Sequence, residues 1–197
     1  MKDFSDSIYK YLYSSLGLQT VGLVVGVLLV ALHLVALVKP EETKAWLKKL
    51  PRSQSVGTWV LTLAFIWAEV VATSMDLGEF SRMRYLAQWA LPAMYLSLLF
   101  YTNEYLGARS VGILALLVAC PILNAAYLLP PQSRLLLPAL AYVWVLLGLF
   151  WVGMPFTMRD QVDWVTKTAG RFKIAALSGV GYGVLLIVCA IVFWKGF

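Results

Sequence analysis

Glu69 stands in the stretch FIWAEVVATSM, residues 65–75, a run that otherwise reads as a membrane helix. A carboxyl group in that setting can hold a proton, bind a cation or polar ligand, or tie helices together through hydrogen bonds. It lies six residues before Met75, where the apolar run ends, so it is ~9 Å inside that boundary at helical rise. A charge at such depth costs ~2–3 kcal/mol on insertion scales. The carboxyl group must therefore face protein or a wet cavity, or carry its proton.

Depth counting nominates its companions. Asn124 is five residues from the end of its apolar run, Gln88 three from the start of its run, and Tyr142 eight from the start of its own. Thr73 is one helical turn from Glu69 on the same face, and Gly26 offers room at that depth on the first apolar run. These positions predict a polar cluster of Glu69, Asn124, Gln88 and Tyr142. Two roles suit it: amides bonding a protonated Glu69 to lock helices together, or a site for a proton, cation or polar ligand. His33 is the only histidine in the chain and is near the opposite end of its run. It differs from Glu69 by ~10 Å in depth, which argues against a direct pair. A bond to a neighbouring hydroxyl or carbonyl is expected instead, with Thr62 matched in depth, and a proton gate is the alternative.

Most catalytic chemistry lacks its parts. A single histidine argues against a zinc site or bis-histidine haem. Cys120 and Cys189 fall inside apolar runs with no CxxC spacing, so they read as small packing residues. Ser178 in ALSGVG lacks the GxSG context of intramembrane serine proteases, and its order relative to His33 is reversed. No HExxH, P-loop, acidic metal cluster or paired-aspartate motif occurs, and no lysine sits mid-run for a Schiff base. The expectation is a protein that is not an enzyme and has no cofactor or metal.

The elements that carry these residues are apolar runs. The chain is 61% hydrophobic and 13% charged over 197 residues, with a mean hydropathy of +0.78. A soluble domain averages about 45–50% apolar and about 25% charged, and a core of this size could not hide the excess. Six runs, at 17–38, 57–75, 85–101, 107–129, 134–154 and 174–195, are long enough or nearly so to span ~30 Å of hydrocarbon as helices. None alternates with period two, and only helices or closed barrels span lipid. Ahead of them, Phe4, Ile8, Tyr11 and Leu12 recur at helical spacing, which predicts an amphipathic interfacial helix over 3–15. GLVVG, with Gly22 and Gly26, and GVGYG, with Gly179 and Gly183, are small-residue faces suited to close helix approach. Trp46, Trp59, Tyr85, Trp89, Tyr101, Tyr105, Tyr127, Trp151 and Trp194 fall near run ends, the level aromatic rings favour.

The fold class expected is thus an all-α polytopic membrane protein, residues 1–197 forming a single membrane domain of six transmembrane helices and an N-terminal interfacial helix. Basic loops at 39–56 and 155–173, with Arg109, hold ten of the sixteen Lys and Arg. The positive-inside rule places them in the cytoplasm and both termini outside, in an arrangement compatible with a bacterial inner membrane. The dispersal of basic residues through short loops argues against nucleic acid and for anionic lipid headgroups. The functional expectation is a non-catalytic subunit, scaffold or assembly factor, partnered by the lipid bilayer and by other membrane chains or copies of itself. A small proton- or cation-linked transporter or channel using Glu69 is the alternative.

Overall fold

Helices account for every regular element among the described residues, 2–101 and 104–196 of the computed structural model. In chain order they are α1 (Lys2–Lys10), α2 (Leu18–Val38), α3 (Pro40–Lys49), α4 (Gln54–Ser74), α5 (Arg84–Tyr101), α6 (Leu106–Ala125), α7 (Leu136–Gly153), α8 (Phe156–Thr166) and α9 (Ala169–Val192). A π-helical turn, Tyr11–Ser15, continues α1, and short 3-10 turns precede α4, α5 and α7. Five of the helices are long and apolar enough to cross a membrane: α2, α4, α6, α7 with its 3-10 lead, and α9. The chain is therefore read as an integral membrane protein.

Local chemistry sets the ends. Ser53 accepts a hydrogen bond from the Val56 amide at the start of α4, and Thr168 accepts one from the Arg171 amide at the start of α9. Both hydroxyls take up amides that a helix start leaves unpaired. This explains why α4 and α9 begin three and five residues before the apolar runs do. Pro40 opens α3, with Glu41 and Glu42 in the first turn and Lys48 and Lys49 in the last, an order that complements the helix dipole.

Close approach decides the packing. α2 and α9 run antiparallel along their length on the predicted glycines. A Cβ on Gly26 would sit 2.9 Å from the Gly183 carbonyl oxygen, and one on Gly183 would sit 2.8 Å from that of Gly26. The two small-residue faces therefore meet each other within one chain. α6 packs on α7, where a Cβ on Gly112 or on Gly148 would sit 2.9 Å from the other's carbonyl oxygen, and α4 packs on α6, where Gly57 faces Leu106 and Gly107.

That last contact fixes the topology. Gly57 begins α4 and Gly107 begins α6, so the two helices run parallel. α5 must then return along the bundle between them, and it does. Thr62 and Tyr95 share a hydrogen bond of 3.0 Å, and Gln88 donates to Thr73 at 3.5 Å, an antiparallel register of α5 on α4. Consequently both basic loops and the turn before α6 lie at one end of the bundle, the basic end, and the start of α2 and the end of α9 lie at the other, the termini end.

At the termini end, Leu18, Val21 and Val25 of α2 join Ile122, Leu137, Ala141, Leu186 and Trp194 in the main core. Trp194 is fully buried and donates from Nε1 to Ser133 Oγ at 2.9 Å. It is therefore a core residue rather than the interfacial ring its place near a run end predicts: a Cβ on Gly22 would overlap its indole, so the missing side chain there makes its room. Trp46, Trp59, Tyr85, Trp89, Tyr101 and Tyr127 are exposed, as rings at a lipid interface are. The N-terminal segment is helical as predicted, with Phe4 and Tyr11 exposed, and it packs against α4 and α6.

Candidate functional site

Glu69 lies on the face of α4 that carries Thr62, Phe65 and Thr73, spaced three or four residues apart. That face meets α5: Phe65 stacks on Tyr95 at 4.7 Å between ring centroids, and Thr62 and Thr73 make the hydrogen bonds described above. The register those contacts set brings the level of Glu69 opposite the middle of α5, where Pro92 interrupts the backbone hydrogen bonding. Glu69 is half-buried, and its Oε1 is shut off from solvent with no hydrogen-bond partner among the described residues.

The predicted cluster does not assemble around it. Gln88 is on the facing helix but gives its amide to Thr73, one turn away. Asn124 is exposed and donates to the backbone oxygen of Tyr13, bracing the N-terminal segment against α6. Tyr142 is 60% exposed on α7, which packs on α6 and not on α4. Gly26 is taken up by the α2–α9 seam. Counting along the sequence gives a position along each helix, but not the direction in which the helix turns the side chain. What remains is a lone carboxyl group between two helices, flanked along the seam by hydroxyls.

His33 occupies a different place. Its Nδ1 donates to the Leu29 carbonyl oxygen, 2.8 Å away on its own helix. The ring lies against Gly179 of α9, where a Cβ would overlap it. Thr62, its depth-matched candidate, bonds the Thr58 carbonyl and Tyr95 instead, on the far pair of helices. His33 lines the inner wall of an open groove of about 760 Å³ between α2, α3 and α9, with Leu32, Ala36, Trp46 and Phe172, and with Lys39 at the rim.

A third constellation was not foreseen. At the basic end Tyr105, the residue before α6, adopts a left-handed backbone with φ of 61°. Arg52 Nη2 and Arg159 Nη1 both donate to its phenol oxygen, each at 2.9 Å, and the Arg52 guanidinium stands 5.1 Å from the ring centroid. The Arg52 hydrogen bond, together with the charge of Arg159, holds the Tyr105 phenol below its ordinary value. Arg159 also donates twice to Asp160, and that carboxylate raises the guanidinium further. In the sequence Tyr105 reads only as an interfacial aromatic. The long separation of Arg52, Tyr105 and Arg159 hides their meeting, and the one available signal is that both arginines sit in the basic loops.

No protein-family model, curated protein or solved structure matches the chain.

Proposed function

We propose that the protein is a non-catalytic membrane subunit, scaffold or assembly factor that crosses the bilayer six times and works through helix contacts with another membrane chain. The observation that carries this reading is the state of α5. It runs back across the bundle beside α4, yet it is not among the helices apolar enough to cross a membrane by themselves. Among its described residues none is fully buried. A helix of marginal hydropathy gains its place in lipid from neighbours that pack against it, and α4 supplies one side only. The other side presents Trp89, Met94, Leu96 and Phe100, a surface suited to a second chain. In this reading the basic end faces the cytoplasm of a bacterial inner membrane and meets anionic headgroups, and both termini lie outside. Native mass spectrometry of the particle extracted in a mild detergent tests it. An unlike chain retained by the wild type and lost on Trp89→Ala with Phe100→Ala supports the reading. A particle of this chain alone, unchanged by those substitutions, overturns it.

A second reading, a proton- or cation-linked transporter, is favoured by one observation, the unpartnered Glu69 Oε1 beside a proline-interrupted helix. A carboxyl group left without a partner in lipid is a default site for a proton or cation. In liposomes, flux of protons or monovalent cations that Glu69→Gln abolishes while the protein stays folded is its expected signature. Equal flux through both proteins removes it.

A further inference from the structure

Three separate elements bring Arg52, Tyr105 and Arg159 together, and each is anchored by the core. Leu50, Ala108 and Met158 form one buried cluster at the basic end. Arg52 is two residues from Leu50, Tyr105 three from Ala108, and Arg159 next to Met158. Gly107 lets the Leu50–Pro51 backbone lie against the start of α6. The side chains are therefore held by packing, not gathered by chance on a mobile surface.

Their charges are left unbalanced. Two donors each 2.9 Å from one oxygen are within ~6 Å of one another. That oxygen is a phenol, which can accept from both but neutralises neither. Asp160 offsets Arg159, whereas Arg52 meets no carboxylate among the described residues, and Glu104 is exposed with no ion pair among them. Arg109, in the first turn of α6, is a further cation at this end, and its Nε is buried without a hydrogen-bond partner among the described residues. The start of α6 has no side-chain cap, so its positive dipole end is uncompensated there. Planar guanidiniums converging at this separation suit the oxygens of a tetrahedral anion; Asp160 holds the Nε–Nη2 edge of Arg159, so Arg159 offers its Nη1 side and Arg52 its fork.

We propose that Arg52, Arg159 and Tyr105 form a binding site for a phosphate group at the basic end of the bundle, of the kind carried by an anionic phospholipid headgroup. The phosphate oxygens bridge the two guanidiniums, and the Tyr105 hydroxyl turns to donate its proton to one of them. This deepens the expectation of anionic headgroups and rests on the membrane reading of this end, but not on the existence of a partner chain. The same donors would take free inorganic phosphate, so the experiment separates the two sources.

The test is lipid binding by the full chain in mild detergent, read by native mass spectrometry with phosphatidylglycerol against phosphatidylcholine. The expected result is that the double variant Arg52→Gln, Arg159→Gln weakens phosphatidylglycerol binding by about tenfold or more. A control, Arg171→Gln with Lys173→Gln, removes the same charge from the same end and leaves binding nearly unchanged. Arg52→Lys keeps both charge and fold, and its loss of the planar fork is expected to weaken binding several-fold, so a misfolded double variant would not decide the matter. Equal losses in the double variant and the control, or no loss on Arg52→Lys, would overturn the site in favour of diffuse attraction. Added inorganic phosphate supplies the second arm. Competition at millimolar levels with the same dependence on Arg52 supports the site with free phosphate as its ligand, and no competition supports the lipid headgroup.

Discussion

The imidazole of His33 and the missing side chain of Gly179 are one packing device. The Leu29 carbonyl oxygen holds Nδ1 and so fixes the ring's orientation, and the ring then fills the space a Cβ at Gly179 would need. Gly179→Ala should accordingly destabilise the α2–α9 pair by ~1–3 kcal/mol, the usual cost of overpacking a filled site. In a His33→Ala background most of that cost should vanish, because the alanine methyl then enters vacated space. Thermal melts of the four proteins in one detergent complete the cycle, and a Gly179→Ala penalty that persists without His33 would show the clash lies elsewhere. The pair also shows what a sequence makes visible at this scale. Gly179 was legible as part of a close-approach face, and His33 as a residue bonded to a neighbouring hydroxyl or carbonyl, of which the structure shows the carbonyl. Their meeting was not, because distance along a helix can be counted whereas rotation about its axis cannot. The same gap undid the cluster around Glu69. Asn124 and Tyr142 have suitable depths, but α6 and α7 turn them toward the N-terminal segment and outward, respectively.

At the scale of elements, composition marks the apolar lengths and capping chemistry moves the boundaries. α6 stops at Ala125 rather than at residue 129, in a turn where Leu128 takes a φ of 51°, a left-handed conformation that a helix cannot continue through. Pro121 lies within α6, buried and without ending it. Hydropathy alone hides the device that turns α4 into α5. Arg84 donates from its guanidinium to the carbonyl oxygens of Thr73 and Met75, occupying acceptors that the end of α4 leaves open. Two residues away, Arg82 is exposed and makes no contact of this kind among the described residues. Arg84→Ala should thus cost ~1.5–3 kcal/mol, the range for hydrogen bonds from a charged donor, and speed amide exchange through residues 75–84. Arg82→Ala should change neither quantity. Equal effects from the two arginines would mean that loop charge, not the carbonyl contacts, holds the turn.

For the whole molecule, the decisive fact is that α4 and α6 run parallel with their first turns in contact at Gly57 and Gly107. The parity of the two basic loops, legible in the charge count, agrees with this, since both lie at one end of the bundle. The weak link in that count is α5, which is not among the five helices long and apolar enough to cross a membrane, so charge and composition point in different directions over residues 84–101. Within the molecule, the chain leaves α4 at the termini end and enters α6 at the basic end, with α5 joining them along α4, a course compatible with a sixth crossing. If the bundle sits upright in a bilayer, Glu79 and Gln132 face one side and Glu42, Glu104 and Asp160 face the other, all five exposed. Single cysteines at those positions, in a chain with Cys120 and Cys189 replaced by alanine, convert this into a labelling experiment with a membrane-impermeant maleimide on intact cells. Positions 79 and 132 should label at once, and positions 42, 104 and 160 only after permeabilisation. Position 104 carries the argument most directly, because it follows α5 at once; positions 132 and 160 lie beyond it and would exchange sides with it if α5 had not crossed. Labelling at 104 together with 79 would leave α5 on the outer surface and pull the start of α6 away from Leu50, which the buried Leu50–Ala108–Met158 cluster forbids without refolding that end.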